Sequence, residues 1–152
     1  MARYARPGRV EWIGIRPERR AGVLTPDRAF LNLDGFEGDH APEGRRAVTL
    51  IQAEHLPIVA ALSARAQIDP AALRRNVVVS GLNLLGFRKA RLLVGAAEID
   101  VTGPCPPCSR MEEALGPGGY TAMRGHGGVY AQVVMPGEVA IGDAVVPVAA
   151  ER

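Results

Sequence analysis

Thiols, lysines and aromatic rings are all scarce in this 152-residue chain, which has two cysteines, a single lysine at position 89 and 5% aromatic residues. Two cysteines spaced C-x-x-C cannot build the multi-bridge framework of a small secreted domain. No apolar run approaches the ~20 residues of a membrane-spanning helix, so no membrane association is expected. The segment Met1–Gly8 has no apolar h-region, so no signal peptide is expected either. The expected compartment is the cytoplasm, where thiols stay reduced, and a structural disulfide between Cys105 and Cys108 is not the expected fate. Charge of one sign is also missing. Eighteen basic residues face 16 acidic ones, for a net charge of +2. That balance does not make a nucleic-acid-binding surface.

What the chain does have is glycine and proline, 18 and 12 residues respectively. With so few aromatics, they point to many turns and short elements. The length suits one domain, taken as residues 1–152, and leaves little room for a second. At this size roughly 70% of the unfolded surface can be buried, so no metal or disulfide staple is needed. Nearly all the basic residues are arginines. Their planar forks grip phosphates and carboxylates, although a high-GC genome would produce the same bias.

Read along the chain, Arg9–Ile15 alternates like a first strand, and Gly22–Gly38 holds short β-like pieces broken by Pro26, Gly35 and Gly38. A loop at Ala41–Gly44 leads into a strand over Arg46–Ile51. Residues Ala53–Gln67 change to helical spacing. Asp69-Pro70 starts a second, short helix, because Asp caps well and Pro fits the first helical position. The β-branched run Val77–Val79 is a strand. Arg91–Val94 and Ala96–Val101 are two strands meeting at Gly95. Ser109-Arg-Met-Glu112 has the S-x-x-E spacing of a capping box, so a helix should begin at Ser109 and end by Gly116. A short helical piece covers Tyr120–Arg124. Val129–Met135, Glu138–Ile141 and Ala144–Val148 are strands joined at Pro136-Gly137 and Gly142-Asp143. About eight short strands with a few small helices predict a mainly β fold, a barrel or curled sheet decorated by helices.

The chemistry centres on Gly103-Pro-Cys-Pro-Pro-Cys-Ser109. Cys108 directly precedes a predicted helix start, whose unpaired N–H groups and dipole favour a thiolate over a thiol. Arg110 lies two residues on, and Pro106-Pro107 stiffen the approach. Two ordinary buried thiols would also satisfy the sequence. So would a redox pair, although the βαβ context of a thioredoxin-type motif is missing. A zinc site, structural or interaction-forming, would draw on Cys105, Cys108, His40 and His126 and lacks a second C-x-x-C. Elsewhere, Asp39-His40 is an acid–imidazole pair or a surface loop. Arg75-Asn76 offers a phosphate grip and a heterocycle-edge partner, or mere caps. Arg124-Gly-His-Gly-Gly128 is a glycine-rich loop whose backbone can approach a phosphate, without the Lys-Ser/Thr of a P-loop. His55 on the Ala-rich helix reads as structural.

In order, Gly38-Asp39-His40, Arg45-Arg46-Ala-Val-Thr-Leu50, Arg74–Gly81, Pro104–Ser109, Arg124–Ala131 and Gly137–Asp143 resemble the MOSC domain. This is the C-terminal module of molybdenum cofactor sulfurases, which also occurs as a stand-alone bacterial protein. The resemblance covers about residues 8–148 and implies a β-barrel of the MOSC/pyruvate-kinase type. It implies a module that binds molybdenum cofactor (molybdopterin), permanently or in passing, or that carries persulfide sulfur. Cys108 matches the family's cysteine, as the sulfur-bearing thiol or a molybdenum contact, and Cys105 is the less certain partner. Asp39, His40, Arg75, Asn76, Arg124, Gly127 and Gly128 would hold the cofactor. A cysteine desulfurase or a molybdoenzyme would be the sulfur donor or acceptor. Pyridoxal phosphate is not expected to serve this chain alone, because the chain lacks a desulfurase domain. A molybdenum-dependent reductase of N-hydroxylated compounds is the alternative implied by other relatives.

Overall fold

The computed structural model describes residues 4–18, 22–40, 47–106 and 109–148, with the side chain of Ser109 outside that set. Seven strands close a barrel in the order β1-β10-β6-β7-β8-β4-β5. They are β1 (Gly8–Ile13), β4 (Val48–Gln52), β5 (Val77–Ser80), β6 (Arg91–Val94), β7 (Ala97–Pro104), β8 (Val129–Met135) and β10 (Ala144–Pro147). Strands β2 (Arg28–Asn32), β3 (Gly35–Phe36) and β9 (Gly137–Ala140) form a separate three-stranded sheet in the order β3-β2-β9. The mainly β, barrel-like expectation is met.

An odd number of strands cannot alternate all the way round a closed barrel, so one neighbouring pair must run parallel. That pair is β4 and β5, with Leu50 opposite Val77 and Gln52 opposite Val79. A parallel pair needs a crossover, which here carries α1 (His55–Leu62) and a 3₁₀ turn at Pro70–Leu73. The crossover buries the second face of both strands. Leu50, Val77 and Val79 belong to the main barrel core, whereas Ile51 and Val78 pack with Val59, Leu73, Met111, Leu115 and Met123 under the helices. Burial on both faces is why Val77-Val78-Val79 is unbroken and does not alternate with polar residues.

Local signals set most element ends. Asp69 accepts a hydrogen bond from the Ala71 N–H at 3.0 Å, as an N-cap should, and Pro70 occupies the first turn. Helix α1 stops earlier than its Ala-rich pattern predicts. The Ser63 hydroxyl donates back to the Val59 carbonyl at 2.7 Å. Ala64 then turns left-handed at φ 58°, and the Arg65 N–H closes on the Ala60 carbonyl at 2.8 Å. This is a Schellman stop built on alanine in place of glycine. The strands flanking Pro136-Gly137 and Gly142-Asp143 do not pair with each other. Strand β9 pairs with β2, while β10 pairs with β1 and β6, so both turns are corners between sheets.

Helix α2 (Ser109–Leu115) begins where the S-x-x-E spacing places it. Among the described residues, Glu112 takes its partners at the other end of the helix. Its carboxylate accepts from the Gly118 N–H at 3.2 Å and the Tyr120 N–H at 2.9 Å, at the entry to α3 (Gly119–Met123). These two donors hold its carboxyl below the usual carboxylate range, the Tyr120 N–H contributing most.

Candidate functional site

Two residues at the start of β5 anchor the site. Asn76 is 8% exposed and its amide is fully engaged. Its Oδ1 accepts from the Thr49 N–H at 3.1 Å and from the Thr49 hydroxyl at 3.2 Å. Its Nδ2 donates to the Gly14 carbonyl at 3.1 Å and to Asp39 Oδ2 at 3.2 Å. Asp39 completes the link by accepting from the Arg16 N–H at 2.8 Å. Asn76 and Asp39 therefore tie β1, β4, β5 and the segment after β3 together, and these bonds occupy the whole of the Asn76 amide. His40 is exposed, and its backbone N–H donates to the Arg16 carbonyl at 2.6 Å.

Arg75 faces the other way. Its Nε donates to the Gly127 carbonyl at 2.6 Å and its Nη1 to the Leu73 carbonyl at 2.9 Å. Two donors on two carbonyls fix the plane of the guanidinium, and Nη2 takes no partner among the described residues. Nη2 lies against Gly127. A Cβ there would sit 3.2 Å from it, 3.2 Å from the Cys105 carbonyl and 3.4 Å from the Met123 carbonyl. Gly128 adopts φ 86°, and a Cβ on it would overlap the Leu50 carbonyl. Its own carbonyl accepts from the Cys105 N–H at 2.9 Å. Cys105, 5% exposed, thus follows β7 directly into the cradle formed by Gly127, Gly128 and Arg75.

Next to that cradle, His126 Nδ1 lies 3.1 Å from the Ala122 carbonyl, so it carries the proton and donates it. The His126 ring meets His55 edge-on, with centroids 5.5 Å apart. Burial lowers the His55 pKa most and the nearby His126 lowers it further, against a raising contribution from Glu54. Sequence alone places His55 on a helix with a structural role, because a contact across 71 residues of chain leaves no local signature. Arg124 is exposed and its side chain makes no hydrogen bond to the described residues.

Of the residues singled out in the sequence, the structure gathers Arg75, Gly127, Gly128 and Cys105 into one cluster. It joins Asp39 to Asn76 beside them and leaves His40 and Arg124 at the surface. Cys108, Pro107 and the Arg45-Arg46 pair lie outside the described residues. Among the described residues, no group of three or more His, Cys, Asp or Glu side chains is placed to hold a metal ion. No helix among them is long and apolar enough to cross a membrane.

Comparison with known proteins places this arrangement. The family model for the MOSC domain matches residues 36–146. Among solved structures, the YuaD protein of Bacillus subtilis superposes with a TM-score of 0.82 at 19% identity, covering 95% of this chain and 97% of that one. YiiM of Geobacillus stearothermophilus gives 0.78 at 18% identity, over 94% of this chain and 76% of its own. YiiM of Escherichia coli gives 0.73 at 22%, over 94% and 71%. At these identities the likeness is one of fold. No protein of curated function matches the sequence.

Proposed function

This chain belongs to the MOSC domain family, and from that premise we propose that it binds molybdenum cofactor or hands on its sulfur, with Cys108 as the sulfur-bearing thiol. The observation that carries the proposal is the Arg75 fork. Two of its donors are locked on the Gly127 and Leu73 carbonyls, which leaves Nη2 aimed along a glycine cradle beside Cys105. A locked guanidinium loses little freedom when an anion arrives.

The donor set fits the group the family implies. A pterin cofactor bears a phosphate and an anionic dithiolene, and an arginine beside closely approachable backbone suits such anions. Bound there, the cofactor would supply a molybdenum centre and its dithiolene sulfurs. Arg75 would hold an anionic group, with exposed Arg124 adding charge at the edge. Gly127 would allow close approach, because a side chain there would crowd Arg75 Nη2. Gly128 would keep the Cys105 backbone in place. Asp39 and Asn76 would act by fixing the strand that presents Arg75.

For sulfur transfer, the Cys108 thiolate would attack the terminal sulfur of a donor's persulfide. A sulfur–sulfur bond forms on Cys108 as the donor's sulfur–sulfur bond breaks. The donor leaves as a thiolate and takes up the persulfide proton, with no net oxidation. A cysteine desulfurase fits as donor and a molybdoenzyme as acceptor.

Incubation with a desulfurase and cysteine should add one sulfur atom to the intact mass, and Cys108→Ser should not gain it. Protein purified from a cofactor-making host should carry molybdenum and pterin, and Arg75→Ala should lose both while melting near the parent temperature. A persulfide that survives Cys108→Ser would reassign the thiol. Protein without pterin, molybdenum or persulfide would overturn the proposal. Stoichiometric zinc in the same elemental analysis would replace it with a structural metal module.

A further inference from the structure

We infer that the outer face of the barrel carries a second anion site, built for a phosphate or pyrophosphate group of a small molecule, in the groove between the β6 approach and β7–β8. The groove is lined by Lys89, Arg91, Asp100, Val101, Thr102 and Gln132, is open to solvent and offers about 500 Å³. That volume is in the usual range for a small-molecule site, roughly 300–1,000 Å³.

Two backbone irregularities shape it. Lys89, the chain's single lysine, stands left-handed at φ 65°, with its N–H held by the Val101 carbonyl at 2.8 Å. A long side chain in this conformation is uncommon and is retained where surrounding contacts hold it. Directly opposite, the pairing of β7 with β8 slips between Val101 and Gly103, so Thr102 sits in a bulge. Bulges bend a strand and re-aim its side chains.

The charges in the groove do not cancel. Arg91 is matched by Asp100, Nε to Oδ1 at 3.0 Å, and more loosely by Glu98 at 3.9 Å. Lys89 and Arg88 have no carboxylate among the described residues. The Arg88 guanidinium folds back over β7, where its Nε would lie 3.9 Å from a Cβ on Gly103. One cation without a carboxylate, Lys89, therefore lines the groove with Thr102 and Gln132, and a second, Arg88, stands just outside that lining over Gly103, the next residue of β7. An ammonium acts as a point charge and a guanidinium as a fork, a combination suited to the several oxygens of a phosphoryl group. The groove is separate from Arg75, although β7 leads from it to Cys105.

The test is calorimetric titration of the full-length protein with inorganic pyrophosphate at low salt, in the absence of any cofactor. Lys89→Asn removes the charge with a side chain that tolerates left-handed backbone, and should weaken binding about tenfold, as should Arg88→Ala. Asp100→Asn removes the opposing carboxylate and should tighten binding, a gain that a merely structural role would not produce. Arg75→Ala should remove only a cradle-bound pyrophosphate and leave in place the binding that Lys89→Asn weakens. Binding that resists both Lys89→Asn and Arg88→Ala but vanishes in Arg75→Ala would overturn the inference and assign the anion to the cradle. Absence of pyrophosphate binding would overturn it outright.

Discussion

Two junctions in this barrel are built from the same materials and do different work. At the first, the β6–β7 turn meets the corners around β9, and backbone groups and the Asp143 carboxylate close on neighbours. The Ala96 N–H donates to the Glu138 carbonyl at 3.0 Å and the Gly95 N–H to the Ala144 carbonyl at 3.2 Å. Asp143 Oδ2 accepts from the Ala140 N–H at 2.8 Å. At the second, Gly127 and Gly128 pack as tightly against β4 and Cys105, yet the polar side chain there is a cation with donors to spare. The first junction is a joint of the fold. The second is a joint with a hand left open. Tight glycine packing is common to both junctions, and the surplus donor beside the second is what the proposed site rests on.

The largest expected effect tests how rigid the second junction is. Gly128→Ala places a methyl group on the Leu50 carbonyl in a left-handed backbone. It should cost more than ~3 kcal/mol of stability in denaturant unfolding; a smaller loss would mean that the cradle yields. Next comes Asn76→Ala, which strands the partners of a buried amide on three segments and should cost about 2–3 kcal/mol by the same measurement.

Arg75→Ala and Asp143→Ala form the direct contrast. Each should cost about 1 kcal/mol of stability through lost hydrogen bonds. Only the Arg75 variant should lose retained pterin, measured by fluorescence after denaturation. Equal loss in both would erase the distinction between the junctions. The smallest effect is the pH response of His55. Its pKa lies below the ordinary 6.5, so the unfolded chain takes up this proton first as the pH falls. The stability linked to it is full above about 6.5 and declines as the pH drops through that value toward the folded one. NMR titration should show the low value, and His126→Gln should raise it part of the way, because burial remains.

How much of this was legible beforehand follows from chain separation. Strand β5, the Asp69 cap, the start of α2 and the β6–β7 turn are set by neighbouring residues and were readable. The parallel β4–β5 pair and the second core beneath the helices depend on contacts across the crossover. Glu112 shows the limit well. Its spacing from Ser109 matches a capping box, but Gly118 and Tyr120, brought round by the next turn, offer it better-placed donors. Arg75 and Gly127 are each legible in the sequence only as single residues. Their bond spans 52 positions, and nothing in either segment announces the other. The Asp39–Asn76 bond spans 37 positions and was hidden for the same reason.

The seam between β1 and β10 sets an order of events. Gly8 pairs with Val145 and Arg9 with Ala144, only two paired positions across most of the chain, whereas β6 and β7 share four. Contacts of such separation form late in folding, because the loop they close must first lose its freedom. The sheet from β6 through β8 can assemble as an open curl, and the barrel becomes a barrel only when the final strand arrives. The same short seam is where the native molecule should part first, exchanging the amide hydrogens of Val10 and Gly142, which bond across it, ahead of those in β7.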